Sequence, residues 1–193
     1  TTSNKEKYMP FGAMRHGFTH QAVAAIVGRT AKTITAYGNA QISTAQSKFG
    51  GSSLLLHGAG DYLEVSDNGD FDFATNDFTV EMYCYFGDTT TDMLLFGGQV
   101  QTGSFDFRRV NDNTLRLGRT NTAWDATSSS GATSANTWQH IAVSRSGTSL
   151  KIFVNGTAVY TGTNTISYAS AGDTVWIGGR AAGTFYSDYM DEI

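Results

Sequence analysis

Cleavage of a glycosidic bond needs two carboxyl groups flanking it, and this chain has few carboxylates to offer. Its only glutamates are Glu6, Glu64, Glu81 and Glu192, and no two stand two residues apart. Asp61 and Asp106 have no carboxylate partner at that spacing either. The remaining route to catalysis is a site assembled from distant strands. No Gly-x-Ser-x-Gly, His-Glu-x-x-His or phosphate-loop pattern occurs. His16, His20, His57 and His140 do not fall at ligand spacing on any one strand, so solvated or hydrogen-bonded histidines are expected rather than zinc ligands. Asp67, Asn68 and Asp70 form an acidic loop without the glutamate that would complete an EF-hand, and it reads as a plain turn.

Sugar binding asks for something else: exposed aromatic rings to stack on pyranose faces, with Asn, Asp and Arg for the hydroxyls. Trp124 and Asp125 read as loop residues, as do Phe185 and Tyr186. Trp124, Asp125 and Tyr186 are therefore the candidate ligand-binding residues, with Trp124 as the exposed platform. Tyr83 and Tyr85 share a face with Glu81, but aromatics in a sandwich more often pack across strands.

Composition narrows the class. The 193 residues suit one generous β-sandwich, with 22 glycines, 12 Phe, 9 Tyr, 3 Trp and a single proline, Pro10. Charged residues make up only 16%, and Ser, Thr and Asn are plentiful, a surface common among extracellular and virion β-proteins. Net charge is −4 and no Lys/Arg cluster occurs, which argues against nucleic acid as partner. No apolar run approaches the ~20 residues of a bilayer span. The lone Cys84 precludes an intrachain disulfide, so the fold must stand on packing. Thr1 to Pro10 is polar and lacks the apolar stretch of a secretory signal.

The elements that would position any site are strands. His20 to Arg29 holds the one helical pattern, closed by Gly28. This segment reads either as a packed N-terminal turn or as part of an arm, residues 1–29, that docks the module on a larger particle. From Thr30 the period becomes two. The clearest run is Phe78–Phe86: Phe78, Val80, Met82, Cys84 and Phe86 share one face, and Thr79, Glu81, Tyr83 and Tyr85 the other. Short runs follow to the end, separated by Gly, Asn and Asp, and Asn155-Gly156 marks a hairpin. Ala126 to Asn136 is low in complexity and reads as an exposed loop. The turn spacing indicates an all-β sandwich or jelly roll spanning residues 30–193, and the expected 12–14 short strands in two antiparallel sheets follow from that spacing with the family resemblance of the segments below.

Several segments together resemble the laminin-G-like, concanavalin A-like jelly-roll domains. They are Phe49–Leu54 leading into Gly58-x-Gly60-Asp61-Tyr62-Leu63, then Asp77–Glu81, then Thr137-Trp138-Gln139-His140-Ile141-Ala142-Val143 with Leu150–Gly156. Ile177-Gly178-Gly179 and Asp191-Glu192-Ile193 complete the series in the family's order. Most of these matches are turn or core chemistry, so they speak of fold before ligand. Glucanases of this fold carry Glu-x-Asp-x-Glu on one strand, which is absent here, and the resemblance implies a non-enzymatic module. Laminin-G-like domains often bind calcium at the sandwich rim. The family places the Asp61 and Asp191 segments side by side, which makes these two the expected calcium ligands; the alternative is that both satisfy loop amides. The lead-in Gly38–Thr44 resembles that of phage structural members. The function implied is a virion-surface module, on capsid or tail, that contacts a surface glycan and meets other virion proteins through its arm in a particle or homo-oligomeric assembly. The alternatives are an adhesion module of a secreted bacterial protein and a purely structural decoration. In the family the Asp-Glu-Ile segment opens a strand that continues further, so the sequence is expected to be part of a longer protein.

Overall fold

The computed structural model describes residues 32–58, 60–66, 69–87, 90–98, 103–168, 174–180 and 184–193. The expected arm, 1–29, and loop positions 67 and 68 lie outside these residues. Every strand pair among the described residues is antiparallel. One seven-stranded sheet runs β1 (Ile34–Tyr37), β4 (Tyr62–Ser66), β13 (Thr174–Ile177), β6 (Met93–Gly98), β7 (Phe105–Arg109), β8 (Leu115–Arg119) and β9 (Trp124–Thr127). The second runs β12 (Thr157–Thr163), β11 (Ser149–Val154), β10 (Trp138–Ser146), β5 (Phe78–Phe86), β16 (Ser187–Asp191), β3 (Ser53–His57) and β2 (Gln41–Ser43). A two-stranded ribbon pairs β14 (Gly179–Arg180) with β15 (Thr184–Phe185). Neighbours far apart in sequence, such as β16 between β5 and β3, give the crossed connections of a jelly roll.

Alternation builds the core. On β5 the five residues Phe78, Val80, Met82, Cys84 and Phe86 are buried, as the period predicts. Ile141 and Val143 of β10 and Ile152 of β11 meet them from the same sheet, while Phe105, Phe107, Leu115 and Leu117 close the core from the other. Full burial of such a side chain is worth about 1.5–3 kcal/mol, so a sandwich of this size holds without a disulfide. The β11–β12 hairpin turns at Asn155 (φ 49°) and Gly156 (φ 77°), both left-handed, as that dipeptide requires.

Four strands were not legible in the sequence: β2, β9, β14 and β15. β2 lies in the family-like lead-in, and β14 and β15 are two residues each. Trp124 and Asp125 are strand residues rather than loop residues. The low-complexity stretch is not wholly exposed: its first residues complete β9, and Ala126, Ser128 and Thr133 are buried. The Ser128 hydroxyl accepts from the Leu115 amide at 2.9 Å, which ties the stretch to β8.

Candidate functional site

The outer face of β7, β8 and β9 carries an aromatic platform. β9 holds one residue more than its partner at the Leu117/Gly118 position, so Trp124 stands opposite Gly118 while Ala126 stands opposite Leu117. This bulge reverses the phase of the strand. Ala126 enters the core, and Trp124 two residues away turns out, 36% exposed. Gly118 is what lets the indole lie across β8, since a Cβ there would come within 2.8 Å of Trp124 Cε3.

Two guanidinium groups back the ring. Arg108 and Arg116 lie 5.4 and 5.9 Å from the indole centroid. They are direct cross-strand partners on β7 and β8, a like-charge pairing that destabilises unless it is compensated. Compensation comes from two aspartates. Arg108 Nε donates to Asp106 Oδ1 at 2.5 Å and its Nη2 to Asp106 Oδ2. Arg116 donates from Nη2 to Asp112 Oδ2 and from Nε to the Thr114 hydroxyl at 3.0 Å. Asp112 also accepts from the Thr114 hydroxyl at 2.5 Å and amide at 3.0 Å. The Thr114 hydroxyl first, with its amide and Arg116, holds the Asp112 carboxyl below its ordinary value against the opposing effect of burial. The outcome is a flat aromatic surface with fixed polar groups around it, the combination that orients a hydroxyl-rich ligand.

Asp125 does not join this platform. It binds Arg119 through both oxygens, Nε to Oδ2 and Nη2 to Oδ1, each at 3.2 Å, and its side chain is nearly buried. Tyr186 is fully buried against Phe86, and its hydroxyl donates to the carbonyls of Tyr85 at 2.6 Å and Tyr189 at 2.8 Å. The sequence reading set Tyr186 on a loop as a ligand candidate; in the structure it fills the core and ties β5 to β16.

Asp61 and Asp191 are likewise not brought together. The β3–β16 register sets Ser187 opposite His57 and Met190 opposite Leu54, which places Asp191 beyond the Leu54 end of β3. Asp61 caps the other end: its Oδ2 accepts from the His57 amide at 2.8 Å and faces the His57 ring Nδ1 at 3.0 Å, and its Oδ1 accepts from the Asn39 amide at 2.7 Å. Four residues of strand put about 13 Å between the two ends. Burial pushes the Asp61 carboxyl up, but the Asn39 and His57 amides and the His57 ring outweigh it and leave the carboxyl below its ordinary value. Among the described residues no cluster of three or more His, Cys, Asp and Glu is spaced to hold a metal ion.

Asp191 acts as a clamp instead. Its Oδ2 accepts from the amides of Lys48 at 2.9 Å and Phe49 at 3.0 Å. This draws Phe49 edge-on against Tyr83, at 5.1 Å between centroids, over the outer face of the second sheet. There Phe49, Glu81, Tyr83, His140 and Glu192 line a groove of about 520 Å³. Reasoning from spacing missed it because Glu81 and Glu192 are 111 positions apart (192 − 81) and meet only through the fold.

The two-sheet topology defines a lectin-type jelly roll. The family model described as the concanavalin A-like lectin/glucanases superfamily, of laminin G type, matches residues 57–193, and the chain belongs to that family. Domain 4 of an extracellular GH43 arabinanase of Geobacillus stearothermophilus, solved in complex with arabinotriose, superposes with a TM-score of 0.64 at 17% identity, over 83% of this chain and 79% of that one. The receptor-binding domain of the botulinum neurotoxin C/D mosaic serotype gives 0.60 at 11% identity, over 83% of this chain and 43% of its own length. Mouse laminin α1 domains LG4-5 give 0.55 at 14%, over 71% of this chain and 38% of theirs. The chain thus spans less than half of the toxin and laminin chains. At these identities the likeness is one of fold. No curated protein matches the chain in sequence.

Proposed function

We propose that this chain is a non-enzymatic glycan-binding module whose platform is Trp124, and that it works at the surface of a virus particle. The observation that carries the binding reading is the exposed indole set by a β-bulge over Gly118, with Arg108 and Arg116 fixed beside it by Asp106 and Asp112. An aromatic face standing out of a sheet edge is not needed for folding, and its neighbours are held in place as ligand-orienting groups are. The arabinanase domain bound to arabinotriose and the toxin receptor-binding domains support the reading as relatives in fold. The particle setting draws support from the hydroxyl-rich, weakly charged composition and the lone cysteine.

The decisive experiment is a glycan array followed by calorimetric titration of the best ligand. Trp124→Ala is expected to lower affinity about tenfold or more, the loss of one stacked platform, while circular dichroism is unchanged. An array without binders, or a Trp124→Ala variant with full affinity, would leave a purely structural decoration as the better account. Mass spectrometry of purified particles tests the setting: a chain found only in secreted bacterial fractions contradicts it.

A further inference from the structure

Outward positions in the middle of a sheet are ordinarily polar. The outer face of β10, β5 and β16 is tiled with rings instead. Trp138, Tyr85 and Tyr189 are successive cross-strand partners, with centroids 5.7 and 6.0 Å apart. Two residues along, Tyr83 meets His140 at 5.0 Å and Phe49 at 5.1 Å. Phe49 is 44% exposed, and the rings of the strands are half-buried.

Charge is the second observation. Glu81 and Glu192 line the groove beside Tyr83, and the Glu81 side chain is 60% exposed. Glu81 Oε2 lies 3.2 Å from His140 Nε2. Ring walls with carboxylates at the margin attract a cation. The chain itself shows that these rings accept one, because the Lys48 ammonium lies 5.5 Å from the Tyr83 centroid and 5.8 Å from that of Phe49.

We propose that this groove binds a protonated amine carried by an amino sugar, with Phe49 and Tyr83 as its walls, Glu81 and Glu192 as its counter-charges, and Lys48 as an internal competitor. Position favours a sugar over a basic peptide. An extended peptide draws affinity from the unpaired backbone of a sheet edge. Here β5 is hydrogen-bonded on both sides, to β10 and β16, so only side chains face the ligand. The neighbouring row of Trp138, Tyr85 and Tyr189, whose rings meet edge to face, extends the aromatic surface beside the groove. This site is separate from the Trp124 platform, which lies on the other sheet.

The test uses the Trp124→Ala chain, so that failure here and failure of the platform are read apart. Calorimetry compares a glucosamine trisaccharide with its fully N-acetylated counterpart at pH 6 and low salt. The deacetylated trisaccharide is expected to bind about tenfold more tightly, a preference that 0.5 M salt erodes. The double variant Glu81→Gln, Glu192→Gln, both at exposed positions, is expected to lose the preference. Lys48→Ala is expected to strengthen binding several-fold by vacating the ring faces. Equal affinity for the two trisaccharides, no binding of either, a preference that survives the double variant, or binding of oligolysine in their place would overturn the proposal. So would release of reducing sugar, which would make the two glutamates catalytic.

Discussion

Arg145 shows how a single residue holds one end of this sandwich. It is 2% exposed, between Phe78 and Tyr168, with its guanidinium carbon 5.0 and 5.3 Å from their centroids. Its nitrogens donate to the carbonyls of Ala74 at 2.7 Å, Asn76 at 2.7 and 3.0 Å and Ile166 at 2.6 Å, and to the Asn164 side-chain oxygen at 3.3 Å. Burial pulls its pKa down, and Tyr168 and Asp77 push back. One side chain therefore satisfies the carbonyls of two loops far apart in sequence. Arg145→Ala is expected to cost about 3 kcal/mol or more, because it empties a buried site and takes the donor from the Asn76 and Ile166 carbonyls, whereas Ala74 keeps the Tyr168 amide and the Asn164 side chain keeps the Ile166 amide. The urea midpoint reads it, with the m-value held. Tyr186→Phe is gentler: removing one hydroxyl from two carbonyls should cost about 1–2 kcal/mol and leave glycan affinity untouched. A loss of binding in that variant would restore Tyr186 to a ligand site.

At the scale of the element, the β8–β9 pair decides where the platform points. Without the extra residue in β9, strict alternation would set Trp124 on the same side as Ala126, inside. Gly118→Val is expected to displace the indole without unfolding the sandwich. Glycan affinity should then fall about as far as in Trp124→Ala, while the melting temperature moves by only a few degrees. Full affinity with a displaced Trp124 fluorescence spectrum would show that the ring is not the contact. The strand periods of β5 and β11 were legible because one face is apolar throughout, and on β10 Ile141 and Val143 keep the period although Gln139 and Arg145 share their face. β9 was not, since a four-residue edge strand with a bulge has no period to read.

For the whole molecule, acid is the informative variable. Asp61 and Asp112 both have folded pKa values below the ordinary 3.8. A carboxyl depressed on folding adds stability above its unfolded value, and that stability is lost as pH falls through the folded value. The denaturation midpoint should therefore fall as pH drops below about 3.8, and the fall should be shallower in Asp61→Asn. A pH profile identical to the parent's would mean that Asp61 is not held as the hydrogen bonds indicate. Asp61→Ala should lower the melting temperature equally in EDTA and in millimolar calcium, since its oxygens serve Asn39 and His57 at the end of β3 away from Asp191. A shift seen only with calcium would show a cation at Asp61.

The class of fold was legible in the residues alone, because a buried face writes its period of two into long strands and a left-handed two-residue turn calls for Asn-Gly. The sequence also offered Trp124 as an exposed platform, though on a loop; the bulge in β9 is what turns the ring outward. Which charges meet was settled by the folded chain: Asp61 and Asp191 cap opposite ends of β3, Asp125 closes on Arg119, and Glu81 and Glu192 share a groove with Phe49. Asp125 and Arg119 meet through the bulge of one hairpin, and the other meetings depend on register between strands distant in the chain. Register follows from the packing of two whole faces against each other, and no local spacing contains it.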